Sequence, residues 1–467
     1  MRRPLTSRAW ALCLGLVITL ATVPRAQQAT GTKEPPPKPG TAKDFVVPKP
    51  TRFTLPNGMP VTMVTFGTVP KVRIQLAVDA GNVFETANEI WLADVTGSML
   101  EEGTATLTAD ALARELATMG GELAVAVGPD RANLSTEVLG ERGPQALRLL
   151  ADVAQRPRLP ESELARVKAT HARNLAIQKD TPQALAMEQF ATLTYGDHPY
   201  GRLFPTEAML NGYALEDVRR FHREHFGPRR ARLYIAGVFD AAAMESAVRE
   251  AFGSWTGGAA SNAPATAARP RGFKLVNRGG APQSTILLGL HVPDPSSKDW
   301  VALEVTNSLL GGSFASRITS NIREQKGYTY SPNSGITAHP KNAQWIEQAD
   351  VTTAVTGPAL KEVFTEIDRL RREAPPAEEL RGIQNNLAGV FVVQNASRAG
   401  VINRLVFVDQ HGLGDDYLST YVKRVMTVTP DEVRRVANDY LVPDKMTLVV
   451  VGDEKTVKEQ VASWETK

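Results

Sequence analysis

The sequence predicts an α+β fold built from two homologous halves, each a sheet with long helices packed on one face. Three observations carry this. Val95-Thr96-Gly97-Ser98-Met99-Leu100 returns as Val305-Thr306-Asn307-Ser308-Leu309-Leu310, a repeat of long period. The end of each half repeats as well: Asp217-Val218-Arg219-Arg220 leads to Pro228 and the apolar run 233–237, and Glu432-Val433-Arg434-Arg435 leads to Pro443 and the apolar run 448–452. Within each half, strand-like runs are bunched with long helical stretches, the pattern of an α/β sandwich used twice.

In chain order, Arg2, Arg3 and Arg8 precede an apolar run over 9–23 that is short for a bilayer span, so residues 1–26 read as a secretory signal peptide. A start-transfer anchor is the weaker alternative. The only cysteine, Cys13, lies in this segment, so a mature chain carries no disulfide, thiol nucleophile or cysteine metal ligand. Residues 27–50 are rich in Pro and Lys and read as an extended spacer. The expected setting is exported, most simply periplasmic, with no stable membrane anchor once the signal is removed.

The first half is expected over 51–256. Val72, Ile74, Leu76 and Val78 fall on one face of a half-buried strand. Thr108 caps a helix carrying Leu112, Leu116 and Met119, and Gly120-Gly121 ends it. A strand pair follows over 122–138, then two helices separated near Pro157 and Pro160. Residues 257–271, rich in Gly, Ala, Pro and Asn, read as a linker to the second half over 272–461. At 467 residues, with 42% hydrophobic and 22% charged residues, the chain has ample material for such cores. A net charge of +3 with no Lys/Arg block gives no footprint for nucleic acid.

The stretch 91–104, W-L-A-D-V-T-G-S-M-L-E-E-G-T, reads as an amphipathic helix ending in a turn at Gly103. Its tail, Met99, Leu100, Gly103 and Thr104, resembles the zinc-site helix of the insulinase (pitrilysin-type, inverzincin) metallopeptidases, where His-x-x-Glu-His is followed by Met-Leu, two residues and Gly-Thr. At the positions of the first histidine, the glutamate and the second histidine stand Asp94, Gly97 and Ser98. A zinc hydrolase needs three side-chain ligands, an open position for water and a nearby base. Asp94 offers one weak ligand, Gly97 none, and Ser98 a poor one. The family takes a further glutamate from a later helix before an Asp-x-Pro break, which Asp180-Thr181-Pro182 resembles; the matching region here, His171-Ala172-Arg173-Asn174-Leu175, has no carboxylate. None of the seven histidines opens a displaced motif, and His222 and His225, flanking Glu224, read as surface histidines on a helix.

The second half keeps more. Gly311-Gly312-Ser313-Phe314-Ala315-Ser316-Arg317 and Ile322-Arg323-Glu324-Gln325-Lys326-Gly327-Tyr328-Thr329-Tyr330-Ser331 resemble the family's Gly-Gly…Ser-Arg-Leu…Arg-Glu-x-x-Gly-x-x-Tyr-Ser signature. By that resemblance Arg323 and Tyr330 hold the peptide backbone and help to stabilise the tetrahedral intermediate, as a cationic and a phenolic donor can. Read locally, Arg323 is a solvated helix residue and Tyr330 a core aromatic. Arg317 and Tyr328 are second choices, read as structural or peripheral to substrate.

The resemblance spans residues 46–461 and implies two halves forming a clam around a cavity. It implies a non-catalytic subunit of a two-subunit zinc peptidase, with no metal in this chain and zinc in an insulinase-family partner, acting on unfolded peptide bound by strand addition. Two other readings stand beside it. One is a peptide-binding or scaffold protein with no part in proteolysis. The other is an autonomous hydrolase with a displaced metal site around His222, His225 and Asp94.

Overall fold

The structure, a computed structural model, describes residues 49–260, 263–267 and 269–465; the signal segment with Cys13, most of the spacer and part of the linker lie outside these residues. The first half runs β1 (Thr51–Thr54), β2 (Pro60–Thr65), β3 (Lys71–Val78), α1 (Leu92–Leu100), α2 (Ala109–Thr118), β4 (Ala124–Val127) and β5 (Ala132–Leu139). It continues with α3 (Gly143–Gln155), α4 (Glu161–Asp180), α5 (Pro182–Tyr195), α6 (Glu207–Gly212), α7 (Leu215–His225), β6 (Ala231–Gly237) and α8 (Ala241–Phe252). The second half runs β7 (Phe273–Asn277), β8 (Gln283–Val292), α9 (Trp300–Leu310), a π-helical turn (Thr319–Gln325), β9 (Asn333–His339), β10 (Asn342–Thr352) and α10 (Thr356–Arg372). It closes with α11 (Ala377–Gln394), α12 (Arg398–His411), α13 (Tyr417–Thr427), α14 (Pro430–Tyr440), β11 (Thr447–Gly452) and α15 (Glu454–Glu465).

Among the described residues the strands form two sheets, ordered β1-β2-β6-β3-β5-β4 and β7-β11-β8-β10-β9. Leaving out β1, the second order is the first one repeated. The pairing repeats too: β2–β6 and β7–β11 are parallel and the remaining neighbours antiparallel. This α+β duplication is what the two repeated segments predict. Local signals act as read: the Thr108 hydroxyl accepts from Ala111 N at the start of α2, and Thr429 with Glu432 forms a reciprocal cap on α14. Pro182 opens α5 after α4 stops at Asp180.

Two expectations are corrected. The helix over 91–104 is shorter and is not amphipathic; in α1 every residue but Asp94 and Ser98 is buried, because β4, α4 and α7 pack around it. Strand β3 is not half-buried either, since Gln75 and Ala77 on its other face are covered as well. The cause is an exchange of helices. Helix α12 of the second half lies on the first sheet, where Val401, Leu405 and Val408 belong to one apolar cluster with Val64, Ala77 and Ala236. In return α5 lies on the second sheet, setting Ala186 and Phe190 against Leu287, Val449 and Val451. Gly289 is required here, since a Cβ would stand 2.8 Å from Cζ of Phe190. Burying a side chain of this size contributes about 1.5–3 kcal/mol. Polar ties reinforce the exchange: the Tyr234 hydroxyl donates to Asp409 at 2.8 Å, and Arg398 pairs with Glu137 at 2.7 Å.

Candidate functional site

The entry to α1 is held by a carboxylate. Glu85 accepts from Trp91 N at 3.1 Å and Ala93 N at 2.8 Å, satisfying two of the amides that a helix start leaves open. Trp91, in the left-handed region at φ 68°, turns the chain into the helix. Asn82 Nδ2 bridges the two acids, donating to Glu85 Oε1 at 3.2 Å and Asp94 Oδ2 at 2.7 Å. Burial pushes Glu85 up to about 8 and raises Asp94, the latter against the hydrogen bond from Asn82 and the nearby His171.

Four residues along α1 from Asp94, Ser98 Oγ lies 3.0 Å from His171 Nε2 of α4. Burial lowers the His171 pKa, with Asp94 opposing. Gly97 faces β4, and a Cβ there would stand 2.6 Å from Cγ2 of Val127. The arrangement does not fit a three-ligand zinc site. Gly97 leaves no room for a base, Ser98 is committed to His171, and no three His, Cys, Asp or Glu side chains among the described residues are grouped to hold a metal ion.

In the second half, α9 ends at Gly311. A Cβ there would meet Ser334 Oγ at 2.5 Å and Glu347 Oε2 at 2.7 Å, so only glycine lets the chain leave the helix this way. Below the turn, Asn307 Oδ1 accepts from Ser334 Oγ and from Trp345 Nε1, both at 2.8 Å. Arg317 is buried and forms a two-pronged pair with Glu379, each contact 2.7 Å. That makes it structural, as its sequence context suggests, and Tyr328 packs against the core.

Arg323 sits in the widened turn over Thr319–Gln325, a kind of helix distortion often found at functional sites. Its guanidinium carbon lies 4.5 Å from the Phe314 ring centre and 5.0 Å from that of Tyr330, with Glu324 3.3 Å from Nε. Tyr330 is 78% exposed and Phe314 73%, so Tyr330 is not a core aromatic. The three residues line an open cleft of about 350 Å³, at the start of the edge strand β9.

The fold thus gathers Asp94, Gly97 and Ser98 into one place and Arg323 and Tyr330 into another; the cleft around the pair is lined by residues 312–333 alone. Sequence reasoning missed Glu85, Asn82 and Phe314, and gave His171 no partner. His171 could have been found from its place on the helix before Asp180-Thr181-Pro182. His222 and His225 are half-buried rather than surface residues, a further correction. His222 bonds the Ala154 carbonyl at 2.9 Å, and His225 packs on Phe221 at 4.3 Å between ring centres, where burial pushes it down to about 4.

A family model described as insulinase (peptidase family M16) matches residues 63–204, and one described as peptidase M16 inactive domain matches residues 213–387. Similar proteins include an uncharacterized zinc protease of Mycobacterium leprae, 28% identical over 61% of this chain and 65% of its own length. Another, from Streptomyces coelicolor, is 25% identical over 86% of this chain and 90% of its own length. A crystal structure of a peptidase M16 inactive domain from Pseudomonas fluorescens superposes with a TM-score of 0.80 at 24% identity, covering 86% of this chain and 98% of that one. A protease from Helicobacter pylori gives 0.79 at 19% identity, covering 87% and all of its own chain. At these identities the two structures speak for the fold.

Proposed function

The chain belongs to the insulinase family, peptidase family M16, and we propose that it serves there as the non-catalytic subunit of an exported two-subunit zinc peptidase. The partner, a second family member bearing His-x-x-Glu-His, supplies zinc and the water-activating base. This chain contributes Arg323 and Tyr330 to the shared cavity. The observation that carries the reading is the contrast between its two motif sites. Gly97, at the position of the base, is closed by Val127, whereas Arg323 and Tyr330 face an open cleft.

A guanidinium and a phenol aimed into one cleft can hold a peptide carbonyl and favour the charge that grows on its oxygen. They do not activate water, so hydrolysis needs the partner. Strand β9 begins three residues after Tyr330 and is bonded on one side to β10 among the described strands, leaving its outer edge for an extended peptide to join as a further strand. The substrate is accordingly an unfolded segment.

The test is cleavage of a quenched fluorescent peptide library, with zinc added, by the purified mature chain alone and mixed with a zinc-motif family member from the same cell. Silence alone and a strong gain on mixing are expected. Chelator-sensitive cleavage by the chain alone would falsify the division of labour.

A further inference from the structure

A second cavity, of about 260 Å³, lies where the halves meet and shares no lining residue with the Arg323 cleft. Trp91 and Leu203 come from the first half, Phe190 from the exchanged helix α5, Tyr200 from the turn after it, and Ile346 from β10. The walls are mostly apolar and rigidly held. Trp91 Nε1 donates to the Leu203 carbonyl at 2.9 Å, and the Tyr200 ring stacks on His339 of β9 with centres 4.2 Å apart. His339 Nδ1 is in turn 2.9 Å from Asp130, tying the two halves across the wall. An apolar cavity of about 150 Å³ is enough to take up benzene. This one admits an aromatic ring or branched alkyl group together with a short polar extension.

One cation belongs to the lining. Arg202 Nη1 donates to the Glu85 carbonyl at 3.5 Å and Nη2 to the Asp197 carbonyl at 2.5 Å, both neutral acceptors. Among the described residues no carboxylate comes within ion-pair distance of it, whereas most arginines on this half, such as Arg131, Arg148 and Arg220, are paired. A guanidinium carries five donors in a planar fork, so three remain for a bidentate acceptor such as a carboxylate. Thr337, on the rim, is exposed, which gives the cavity an opening beside the β9 edge.

We propose that this cavity is a binding site for an apolar group carrying a neighbouring carboxylate, the ring or branched chain seated among Trp91, Phe190 and Tyr200 and the carboxylate on Arg202. Two sources share that chemistry: the C-terminal residue of a peptide, and a free aromatic or branched carboxylic acid. The site uses neither Arg323 nor the partner subunit, so it stands or falls apart from the proposed peptidase role.

The probes are N-acetylphenylalanine, its amide, and 3-phenylpropionate, titrated into the purified chain with tryptophan fluorescence and calorimetry as readouts. N-acetylphenylalanine should saturate with a change in emission, since Trp91 forms part of the wall. Loss of one charge-assisted contact predicts about tenfold weaker binding of the amide. Arg202→Gln should weaken binding of the acid by about the same factor, leave the amide unchanged and so erase the discrimination. Ala191→Leu, which fills the cavity from α5, should abolish both; should that variant not fold, Arg202→Gln carries the test. Tighter binding of N-acetylphenylalanine than of 3-phenylpropionate assigns the site to peptide ends, and equal binding assigns it to free acids. No saturation at millimolar concentration, or equal binding of acid and amide to wild type and Arg202→Gln, overturns the proposal.

Discussion

The two halves place an acid at the same point of the same helix and treat it differently. By the repeat, Asp94 of α1 corresponds to Glu304 of α9, Gly97 to Asn307 and Ser98 to Ser308. Asp94 is served by Asn82 and lies near His171, beside the edge strand β4. Glu304 is closed in by Tyr421, Arg404 and Arg424, and burial still pushes it up to about 7. Position 97 is empty so that β4 can lie close, whereas Asn307 fills the matching space and ties α9 to Ser334 and Trp345. In the second half the exposed chemistry sits one loop further on, at Phe314, Arg323 and Tyr330. The same scaffold thus makes one helix a packed support and leaves an open, exposed cleft to a loop.

The largest break in this contrast comes from Arg323→Ala. If the second half faces the substrate, turnover by the mixed assembly falls about 100- to 1000-fold, the range for losing a donor to a developing oxyanion. Assembly, followed by sedimentation, stays intact because the Arg323 side chain is held by the exposed Phe314 and Tyr330 rings rather than by core packing. Unchanged turnover per complex would sink the proposed role and favour a scaffold. Asp94→Asn in the same assay is expected to leave turnover within about twofold if, as proposed, the partner supplies the zinc ligands and the base.

Next in size is a pH effect. Glu304 is raised from 4.5 to about 7 in the fold, mainly by burial. Its contribution to stability is fully present below its unfolded pKa and is lost as pH rises through about 7, because the native state must then give up a proton it holds more tightly than the unfolded chain does. Glu304→Gln removes this dependence. Its stability relative to wild type should rise between pH 5 and pH 8 by at most about 3 kcal/mol, read from urea midpoints. Asp94→Asn should change in the same direction by less, since Asn82 and His171 already favour the charged form there. A flat difference for Glu304→Gln would mean that its carboxyl reaches water.

Much of this architecture was legible in the sequence, and the reasons are specific. The repeat of 95–100 at 305–310 gave the duplication because core packing fixes those residues in both halves: Val95, Met99 and Leu100 are buried, as are Val305, Leu309 and Leu310. Thr108, Pro182 and Gly103 marked turns and caps because each has a local physical role. The helix exchange was not legible, since it depends on which sheet α5 and α12 reach, and amphipathic pattern does not name a partner. For the same reason the alternation over 72–78 reads as half-buried although Gln75 and Ala77 are covered too. At the candidate sites, Arg323 and Tyr330 were found by spacing, but Phe314 became visible only when the loop folded its ring against the guanidinium. Glu85 serves α1 from outside the motif, so no spacing within the helix points to it.

A finer cut tests why position 97 is glycine. Alanine is the better helix former by about 1 kcal/mol, but its Cβ would press on Val127, and overpacking of this kind costs about 1–3 kcal/mol. Gly97→Ala should therefore lose about 1 kcal/mol net, measured by chemical denaturation. Adding Val127→Ala removes the obstacle, so the double variant should be more stable than Val127→Ala alone. If Gly97→Ala stabilises the chain by itself, β4 does not press on α1, and a glutamate at this position would be sterically open.

The smallest expected effect decides how passive the first half is. Ser98 and His171 stand 3.0 Å apart in the stretch that resembles the family's metal-site motif, an arrangement that on distance alone could be a nucleophile and its base. Two features argue against that use. Ser98 lies within α1, so the amides around it are spent on the helix and none is free to hold an oxyanion. No hydrogen bond or ion pair joins Asp94 to His171, so the imidazole lacks the third group that would orient it as a base. The contact is then one hydrogen bond between neutral groups, and Ser98→Ala should cost about 1 kcal/mol of stability with no change in turnover by the mixed assembly. Since burial holds His171 below its usual pKa, its neutral form is the one the fold favours: stability from this group is present above about 6.5 and declines as pH falls toward the lower folded value. Loss of turnover on Ser98→Ala without loss of stability would give the first half a chemical task after all, and the two halves would differ in the reaction they serve rather than in whether they serve one.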